Sequence, residues 1–407
     1  MNATYKPYLS IIVPVYNEEE NVRPLFEKIR TVCESIGKSY EVLFVDDGSQ
    51  DKTFDVLSEM RGYSPNLSVI RFQENAGQTS AMAAGFEYAQ GEFIISMDGD
   101  LQNDPADIPQ LLEKLDEDYD LVCGWRKERQ DKFWTRRLPS VVANWIISKV
   151  TGVAIHDNGC SLKAYRADVI KQVPLYGEMH RFIPAMSTVV GARIAEIVVK
   201  HHPRQFGTSK YGLGRIWRVF LDILAFKLIL SVFAQKPNHS RHLSTEQSLR
   251  YQMIPKYNVY RIAAYLSLPF FILGFILINV DIISAISCIL LGIFLIGISL
   301  MTAWSLSIAQ SDAVELSPFS SFFIYQCARR PIRSFGPIGM FVTIVGVVLI
   351  VGLPHIGPIL VNSGILIFCF GLFGETIAYA NAKRVVDYRV EIFLDAKTDG
   401  KRLENVI

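Results

Sequence analysis

Residues 9–49 read LSIIVPVYNEEENVRPLFEKIRTVCESIGKSYEVLFVDDGS and contain one complete strand–helix–strand pattern. The apolar runs Leu9–Val15 and Tyr40–Val45 are typical of buried strands. Between them, apolar residues recur at three- and four-residue intervals, which predicts one buried face of a helix: Val22, Leu25, Phe26, Ile29, Val32 and Ile36. The segment is therefore predicted to be a β–α–β crossover unit.

The same alternation continues to about residue 212. Three further apolar runs are predicted to be strands: Ser68–Phe72, Phe93–Met97 and Asp120–Gly124. Repeated crossover units predict an α/β domain with a mainly parallel sheet. Ligands bind beyond the carboxyl ends of the strands in such a sheet, so the polar residues that follow each strand are the candidate functional residues.

Composition limits the classes of function that need to be considered. The chain has 407 residues, a hydrophobic fraction of 50% and a formal net charge of +1, so it lacks the basic excess typical of nucleic-acid-binding proteins, and no nucleic-acid partner is expected. Its six cysteines show no CxxC spacing, which predicts neither a zinc site nor a disulfide framework. The first 20 residues lack the features of a signal peptide, so we expect the N-terminal domain to lie in the cytosol.

The C-terminal half contains long apolar runs. Ile262–Val280 and Ile282–Ala309 carry no charged residue, and Ile338–Gly374 contains only His355 as a titratable group. Runs of this length can cross the roughly 30 Å hydrocarbon core of a bilayer as helices. Glycines and prolines near its middle divide the third run, which predicts four spans in two hairpins. The alternative is a set of buried helices in a large soluble core, but uncharged runs this long are rarely core helices.

The distribution of basic residues predicts the orientation of these spans. Arg329, Arg330 and Arg333 lie between the two hairpins, and further basic residues follow the last span in the tail of residues 383–407. By the positive-inside rule both segments are cytosolic. We therefore expect an integral multi-pass protein of a bacterial inner membrane or an equivalent membrane, with both termini and the N-terminal domain in the cytosol.

Residues 213–236 form a third kind of segment, in which charged and apolar residues occupy different faces of a predicted helix. Such a helix either lies at the bilayer interface or packs on the sheet as a core helix, and the sequence leaves both open. The expected order is an α/β domain over residues 1–212, this helix over 213–236, a polar linker over 237–258, a transmembrane region over 259–382 and a cytosolic tail over 383–407.

Polar residues follow the first two predicted strands. Pro14-Val15-Tyr16-Asn17-Glu18 ends the first strand, and Asp46-Asp47-Gly48-Ser49 ends the second. Acidic and aromatic side chains at these positions can stack on a base and accept hydrogen bonds from its ring N–H groups and from ribose hydroxyls. Each motif alone is weak, because Asp-Asp-Gly-Ser before a helix is also an ordinary turn and cap.

A stronger signal, Ser96-Met97-Asp98-Gly99-Asp100-Leu101-Gln102, follows the fourth predicted strand. Asp98 and Asp100 can bind a hard divalent cation, with the amide oxygen of Gln102 as a neutral ligand. Mg²⁺ or Mn²⁺ held there would bridge to a diphosphate. The alternative is a polar turn before a helix that starts near Pro105, with Asp104 as its cap.

Taken together, these motifs resemble family 2 glycosyltransferases of the GT-A fold, and within them the dolichol-phosphate mannosyltransferase and bactoprenol glucosyltransferase group. The resemblance covers about residues 7–236. It rests on stretches that occur in family order: SIIVPVYNEEENV, VLFVDDGSQDKT, NAGQTSAMAAGFEYAQGEFIISMDGDLQNDP, GWRK, HDNGCSLKAYR and GTSKYG.

The resemblance implies a Rossmann-like, mainly parallel α/β catalytic domain. It also implies an inverting, metal-dependent hexosyltransferase that moves one hexose from a UDP- or GDP-linked donor to undecaprenyl or dolichyl phosphate. The reaction would take place at the cytosolic face of a membrane. The sequence leaves open the sugar, the nucleotide and the oligomeric state, including a homo-oligomer.

The resemblance further implies roles for individual residues. Nucleoside contacts fall on Pro14, Tyr16, Glu18, Asp47 and Asp98. Metal ligands fall on Asp98, Asp100 and Gln102. Contacts with donor and acceptor phosphates fall on Arg126, Arg129, Arg204, Ser209 and Lys210. The last three belong to a basic loop with a glycine hinge that can close over a lipid phosphate, or that simply faces anionic lipid.

Asp157 occupies the family position close to the acceptor, where a general base is often found. The acceptor would be a phosphate monoester with a second pKa of about 6, which is largely ionised at neutral pH. We therefore expect Asp157 to orient the acceptor rather than to take its proton. Its neighbour His156 receives no role, because a single histidine is more often structural.

Two rival functions are weighed against this one. A processive polysaccharide synthase shares the fold and the Asp-x-Asp motif, but it carries a Gln-x-x-Arg-Trp motif that this sequence lacks. A catalytically silent membrane adaptor would be favoured by loss of the metal ligands, which are all present. One departure from the family is a second predicted hairpin within residues 237–335, to which the sequence assigns no role.

Overall fold

The computed structural model describes most of the N-terminal half and two separate C-terminal parts of the chain. The described residues are 6–127, 144, 147–149, 152–175, 177, 179–203, 221–223, 225–227, 272, 286, 289–291, 293–294, 331–350, 352–354, 356–381 and 388–395. The chain divides into two compact units. The first comprises Met1–Leu213, Phe233–Asn238 and Val386–Ile407, and the second comprises Gly214–Val232 and His239–Val385.

One mixed sheet forms the centre of the first unit. Its described strands are β1 (Leu9–Val15), β2 (Tyr40–Asp46), β3 (Leu67–Phe72), β4 (Phe93–Ser96), β5 (Leu121–Trp125), β6 (Lys163–Arg166), β7 (Ile194–Val198) and β8 (Val390–Leu394). Their order across the sheet is β7-β5-β6-β4-β1-β2-β3-β8. β1 to β4 are mutually parallel, as are β5 and β7, whereas β6 is antiparallel to both of its neighbours and β8 is antiparallel to β3. β4 and β5 therefore point the same way, and the carboxyl ends of β1, β2, β4 and β5 share one edge.

Helices cover both faces of this sheet in the crossover pattern that the sequence predicts. They are α1 (Val22–Ile36), α2 (Thr53–Arg61), α3 (Gln78–Tyr88), α4 (Ile108–Asp116), α5 (Ala167–Ile170) and α6 (Ile183–Val189), with 3₁₀ turns at Pro105–Asp107 and Met179–Phe182. The predicted apolar face of α1 is confirmed, since Val22, Leu25, Phe26 and Ile29 are buried in the core. The five predicted strands are observed to within one residue at each end.

The mainly parallel α/β fold is confirmed, but the sequence analysis missed three strands. β6 and β8 account for all the antiparallel pairings of the described sheet. β8 lies in the segment expected to be only a cytosolic tail. It alternates buried Val390 and Ile392 with exposed Glu391, which is the period of a strand with one buried face.

Side chains near β8 join the C-terminal strand to the body of the first unit. The ring of Tyr388 stacks on Phe72, with centroids 4.7 Å apart and planes 8° from parallel. Its hydroxyl donates a 2.8 Å hydrogen bond to Oε2 of Glu87 on α3. Arg61 Nη2 donates a 2.6 Å bond to the carbonyl oxygen of Asp395. The segment after the apolar helices is thus an integral edge of the sheet.

Replacing Tyr388 by alanine is expected to lower the free energy of unfolding of this unit by about 2–3 kcal/mol, because the stacked ring and its hydrogen bond are both lost. Tyr388→Phe is the matched control, since it keeps the stack and loses only a hydrogen bond worth about 1 kcal/mol. Thermal unfolding of the purified variants measures both. Equal melting temperatures for the alanine variant and the wild type would show that β8 does not stabilise the sheet.

The described part of the second unit is a helical hairpin, α7 (Pro331–Leu349) and α8 (Ile356–Asn381). The two backbones touch at glycines: a Cβ on Gly339 would lie 2.5 Å from the carbonyl oxygen of Gly364. Large apolar side chains point outward from α7, with Phe341 68% and Val348 70% exposed. Close glycine packing combined with an exposed apolar face is typical of helices that face lipid.

Among the described residues, α7 is the one helix long and apolar enough to cross a membrane. The expected spans Ile262–Val280 and Ile282–Ala309 lie outside the described residues apart from isolated helical positions, and so does the linker 237–258. Of the predicted helix 213–236, two short helical pieces are described. In them Leu221 and Ala225 pack against Ile332, and Asp222 forms a bidentate pair with Arg333 at 2.5 and 3.1 Å.

Candidate active site

The loops after β1 and β2 form one continuous surface at the carboxyl edge of the sheet. Asn17 N donates a 2.9 Å hydrogen bond to Ser49 Oγ, and Gln50 N donates a 2.8 Å bond to Asn17 Oδ1. Asn17 adopts a left-handed backbone conformation with φ of 53°, which asparagine tolerates better than most residues. Pro14, Tyr16 and Glu18, the predicted nucleoside contacts of this loop, are half-buried here.

Asp47 is buried, and the following loop engages both of its carboxylate oxygens. Oδ1 accepts from Ala76 N at 2.7 Å, and Oδ2 accepts from Gly77 N at 2.9 Å and from Asn75 Nδ2 at 3.0 Å. Gly48 has φ of 69°, and a Cβ there would lie 2.7 Å from the backbone of Glu74, so only glycine fits. Asp47 thus fixes the loop that leads into α3, and a direct contact with the nucleoside stays a prediction.

The Asp-x-Asp loop begins two residues after β4. Asp98 Oδ1 accepts a 2.7 Å hydrogen bond from Nε2 of Gln78, the first residue of α3. Asp100 is 8% exposed, and its Oδ1 accepts from Gln102 N at 3.2 Å. Leu101, which lies between Asp100 and Gln102, has φ of 60°, a left-handed conformation that costs a leucine on the order of 1–3 kcal/mol. Backbone strain of this kind is common at functional sites.

The oxygen ligands of this loop fit a divalent cation that also binds substrate. Among the described residues, no group of three His, Cys, Asp or Glu side chains could enclose a metal ion. Asp98, Asp100 and the Gln102 amide, the predicted ligands, would instead supply an incomplete set of hard oxygen ligands. Mg²⁺ commonly binds proteins through one or two carboxylates and takes its other ligands from phosphates and water. The ligand set therefore suits a cation shared with a diphosphate.

The alternative interpretation of this segment, a polar turn with Asp104 as a helix cap, is observed in part. Asp104 Oδ1 accepts a 3.0 Å hydrogen bond from Ala106 N and caps the 3₁₀ turn Pro105–Asp107. Hydrogen bonds to Ala106 and His202 lower the pKa of Asp104 even though burial by itself would raise it. The predicted cap is thus observed at Asp104, and the assignment of Asp98 and Asp100 to a cation stays a prediction.

Arg126 and Asp157 form a buried bidentate ion pair beside this loop. Arg126 Nε and Nη2 donate to the two Asp157 oxygens at 2.7 and 3.0 Å, and their side chains are 12% and 4% exposed. Burial by itself would lower the pKa of the Arg126 guanidinium, but its hydrogen bonds to Asp157 and nearby charges, the carboxylate of Asp98 among them, raise the pKa above its usual value. Both oxygens of Asp157 thus accept hydrogen bonds from Arg126, and its role as an orienting group stays a prediction.

Glu196 on β7 holds the loop that carries Asp157. Its carboxylate accepts from the backbone N–H groups of His156 and Asp157 at 3.1 and 3.0 Å, and from His156 Nδ1 at 2.7 Å. Sequence reasoning missed both Glu196 and Gln78. A carboxylate inside the otherwise apolar strand Ile194–Val198 was a usable signal for the first. Gln78 lies within a stretch already quoted for the family resemblance.

Four predicted phosphate-binding residues lie outside the described residues: Arg129, Arg204, Ser209 and Lys210. The start of the basic loop is nevertheless fixed next to the Asp-x-Asp loop. His202 N donates a 2.9 Å hydrogen bond to the carbonyl oxygen of Gln102, and Asn103 forms a β-bridge with His201.

Comparison with known proteins gives a consistent result. Residues 10–173 match Glycosyl transferase family 2. A dodecaprenyl-phosphate galacturonate synthase of Rhizobium johnstonii is 47% identical over 57% of this chain and 69% of its own length. An undecaprenyl-phosphate 4-deoxy-4-formamido-L-arabinose transferase of Edwardsiella ictaluri is 40% identical over 53% of this chain and 67% of its own length.

Solved structures add a distant similarity. Glucosyl-3-phosphoglycerate synthase from Mycobacterium tuberculosis, in complex with Mn²⁺ and uridine-diphosphate-glucose, is 16% identical and covers 56% of this chain and 80% of its own, with a TM-score of 0.43. A TM-score of this size does not assign a ligand. The family match and the two bacterial relatives, by contrast, agree with the motifs at the carboxyl edge of the sheet. The chain therefore belongs to glycosyltransferase family 2 and is a glycosyltransferase.

Proposed function

We propose that the protein transfers a single sugar from a nucleotide-diphosphate donor to a polyprenyl phosphate. The names of both relatives specify a polyprenyl-phosphate acceptor, dodecaprenyl in one and undecaprenyl in the other. The sugars differ, galacturonate in one and 4-deoxy-4-formamido-L-arabinose in the other. The two names thus share the class of acceptor. Because the sugars differ, the proposal is the transfer of one sugar unit and is not restricted to a hexose.

The observation that carries this proposal is the presence of the Asp98–Asp100 loop and the Arg126–Asp157 pair at the same sheet edge. The acidic loop suits the cation-bound diphosphate of the donor, with Asp98, Asp100 and Gln102 as the residues that would hold Mg²⁺ or Mn²⁺. When bound, such a cation offsets the charge that develops on the departing nucleotide diphosphate. Arg126 supplies a fixed, permanently charged N–H donor for a phosphate next to that loop.

The reaction needs no strong base. An ionised phosphate oxygen of the acceptor attacks the anomeric carbon of the sugar, and the nucleotide diphosphate leaves from the opposite face, which inverts the configuration. The attacking oxygen is already deprotonated near neutral pH, because the second pKa of a phosphate monoester is about 6. This chemistry agrees with a bidentate Asp157 that orients Arg126 and does not accept a proton.

A direct assay tests the proposal. The full chain, purified in detergent, is incubated with undecaprenyl phosphate, Mg²⁺ or Mn²⁺ and a panel of UDP- and GDP-sugars, and the lipid products are analysed by mass spectrometry. We expect one donor to give a product heavier by one sugar unit. A ladder of oligosaccharides would revive the processive synthase, and the absence of transfer from every donor would favour the silent adaptor.

We further propose that the protein is a multi-pass membrane protein with a cytosolic catalytic domain. β1 near the N-terminus and β8 near the C-terminus belong to the same sheet, so both lie on one side of any membrane. The chain between them then crosses the membrane an even number of times. In this proposal the α7–α8 hairpin would supply two crossings, and the charge-free runs Ile262–Val280 and Ile282–Ala309 would supply two more.

Reporter fusions test this topology. Reporters placed near residues 5, 320 and 400 should all indicate the cytosol, because the predicted hairpins return the chain to the cytosolic side before residue 320. A reporter near residue 281, between the first two predicted spans, should indicate the opposite side. A periplasmic or lumenal signal at residue 320 would rule out the arrangement in two hairpins.

A further inference from the structure

His156 lies beside the site and has an unusual environment for an exposed histidine. Its side chain is 66% exposed, yet Nδ1 lies 2.7 Å from Oε2 of Glu196, whose side chain is 11% exposed. The imidazole also stacks on Trp125, with centroids 4.3 Å apart and planes 15° from parallel. A carboxylate can only accept, so Nδ1 of His156 carries a proton. Within the described part of the chain, Nε2 makes no hydrogen bond.

The side chain of His156 is not needed to hold its own loop. Glu196 already binds the backbone N–H groups of His156 and Asp157, and Asp157 is locked by Arg126. The ring is thus oriented from two sides by Glu196 and Trp125 while its Nε2 edge faces away from both, which suits a ligand at that edge.

The charge around Trp125 indicates what kind of ligand that is. Lys127 Nζ lies 5.6 Å from the centroid of the Trp125 ring, and Arg126 is the intervening residue. An indole face is a favourable surface for a cation. His156, Lys127 and Arg126 thus form a rim of N–H donors around Trp125 at the end of β5, with the carboxylates of Glu196 and Asp157 behind His156 and Arg126. Such a rim suits an anion with several acceptor oxygens.

The position of the rim in the sheet distinguishes the two phosphates of the reaction. The strand order places β6 and β4 between β5 and β1. At about 4.8 Å per strand, the end of β5 lies roughly 14 Å from the end of β1, with the Asp98–Asp100 loop between them. The predicted nucleoside contacts follow β1 and β2, so the donor runs from there to the acidic loop. The rim around Trp125 lies on the far side of that loop, where the acceptor has to approach.

We propose that His156, oriented by Glu196 and stacked on Trp125, donates a hydrogen bond from Nε2 to a phosphate oxygen of the polyprenyl phosphate. Because Nδ1 already donates to Glu196, a second donation from Nε2 requires a proton on both ring nitrogens. This inference rests on the proposed function, because it assigns a contact to the acceptor of that reaction.

The test separates the Michaelis constants of the two substrates. In the full-length enzyme, His156→Gln keeps both backbone bonds to Glu196 but removes the cationic donor. A hydrogen bond between charged partners is worth about 1.5–3 kcal/mol, so the KM for undecaprenyl phosphate should rise about 10- to 100-fold. The KM for the nucleotide sugar should change less than about 2-fold, because the donor contacts are untouched.

Two further variants separate the charge from the aromatic ring. His156→Phe keeps the stack on Trp125 without a donor and should resemble His156→Gln. His156→Arg restores a planar cation that can stack and pair with Glu196, and it should recover the acceptor KM to within about 5-fold. Thermal unfolding confirms that all three variants are folded.

Each contrary outcome is distinct. An unchanged acceptor KM in folded His156→Gln overturns the inference and leaves the proposed function standing. An equal rise in both KM values indicates a structural role and also overturns it, as does failure of His156→Arg to recover the acceptor KM. If the wild-type enzyme transfers no sugar to undecaprenyl phosphate, the proposed function fails and the inference fails with it.

Discussion

Asp100→Asn is expected to lower turnover by about 10²- to 10³-fold while the protein stays folded, because it would weaken the cation that stabilises the reacting diphosphate. Asp100 is buried, and its Oδ1 accepts a hydrogen bond from Gln102 N. Asparagine keeps an oxygen that can accept this bond, so the turn with its strained Leu101 is preserved. The change therefore tests the effect of the negative charge while the conformation of the loop is kept.

The matched control is Asp104→Asn in the same loop. Asp104 caps the 3₁₀ turn Pro105–Asp107, and asparagine is an equally good cap, so turnover should stay within about 3-fold of wild type. Initial rates are compared at saturating Mg²⁺ and Mn²⁺, with circular dichroism to confirm folding. A higher Mn²⁺ concentration for half-maximal rate in Asp100→Asn would link the loss to cation binding. Activity within a few-fold of wild type for Asp100→Asn would remove Asp100 from the cation site.

Local sequence pattern was sufficient for the parallel core of the fold. β1 to β5 are short apolar runs that end in turn residues, and α1 shows a clear helical period, so both could be recognised without tertiary information. On one face of the sheet these elements bury their apolar residues in one core cluster, and the pattern that drives this burial is visible in the sequence. The strand ends also point to the Asp98–Asp100 loop without any tertiary information.

The antiparallel strands could not be found in the same way. β6 contains Lys163, which is 2% exposed and donates to the carbonyl oxygen of Cys160. This buried lysine interrupts the apolar pattern from which a buried strand is predicted. β8 pairs with β3 across more than 300 residues, including Val69 with Leu394. Local sequence propensity cannot identify such a partner, because the pairing of β8 depends on the free edge that β3 presents in the folded sheet.

The supporting residues of the site were missed for a related reason. Gln78 reaches Asp98 across 20 positions, and Glu196 reaches Asp157 across 39. Each is an unremarkable polar residue until the crossover connections bring the strand ends together. Sequence reasoning found the groups that carry charge at the ends of strands, and the fold was needed to show which groups hold them in place.

The role of Asp157 illustrates the same division. The sequence left a choice between a base and an orienting group, and the structure adds a bidentate partner, Arg126, for the carboxylate. If Asp157 acts only through Arg126, then Asp157→Asn and Arg126→Gln should each lower kcat/KM by about 10²-fold, because each removes the same oriented donor from the phosphate. The double variant should then be no slower than either single variant, since the two residues act as one unit.

A general base predicts a different result from the same cycle. Asp157 would then contribute separately from Arg126, and the double variant would lose about 10⁴-fold, the product of the two single losses. The free energy of unfolding provides an independent test. Asp157→Asn leaves a buried guanidinium without its carboxylate and should lower the free energy of unfolding by about 3–5 kcal/mol. The double variant should regain part of this loss, because the uncompensated charge is also removed. Thermal unfolding and kcat/KM measured on the same four proteins test both points. A double variant about 100-fold slower than each single variant would show that the carboxylate acts on the reacting groups directly, and Asp157 would be the base after all.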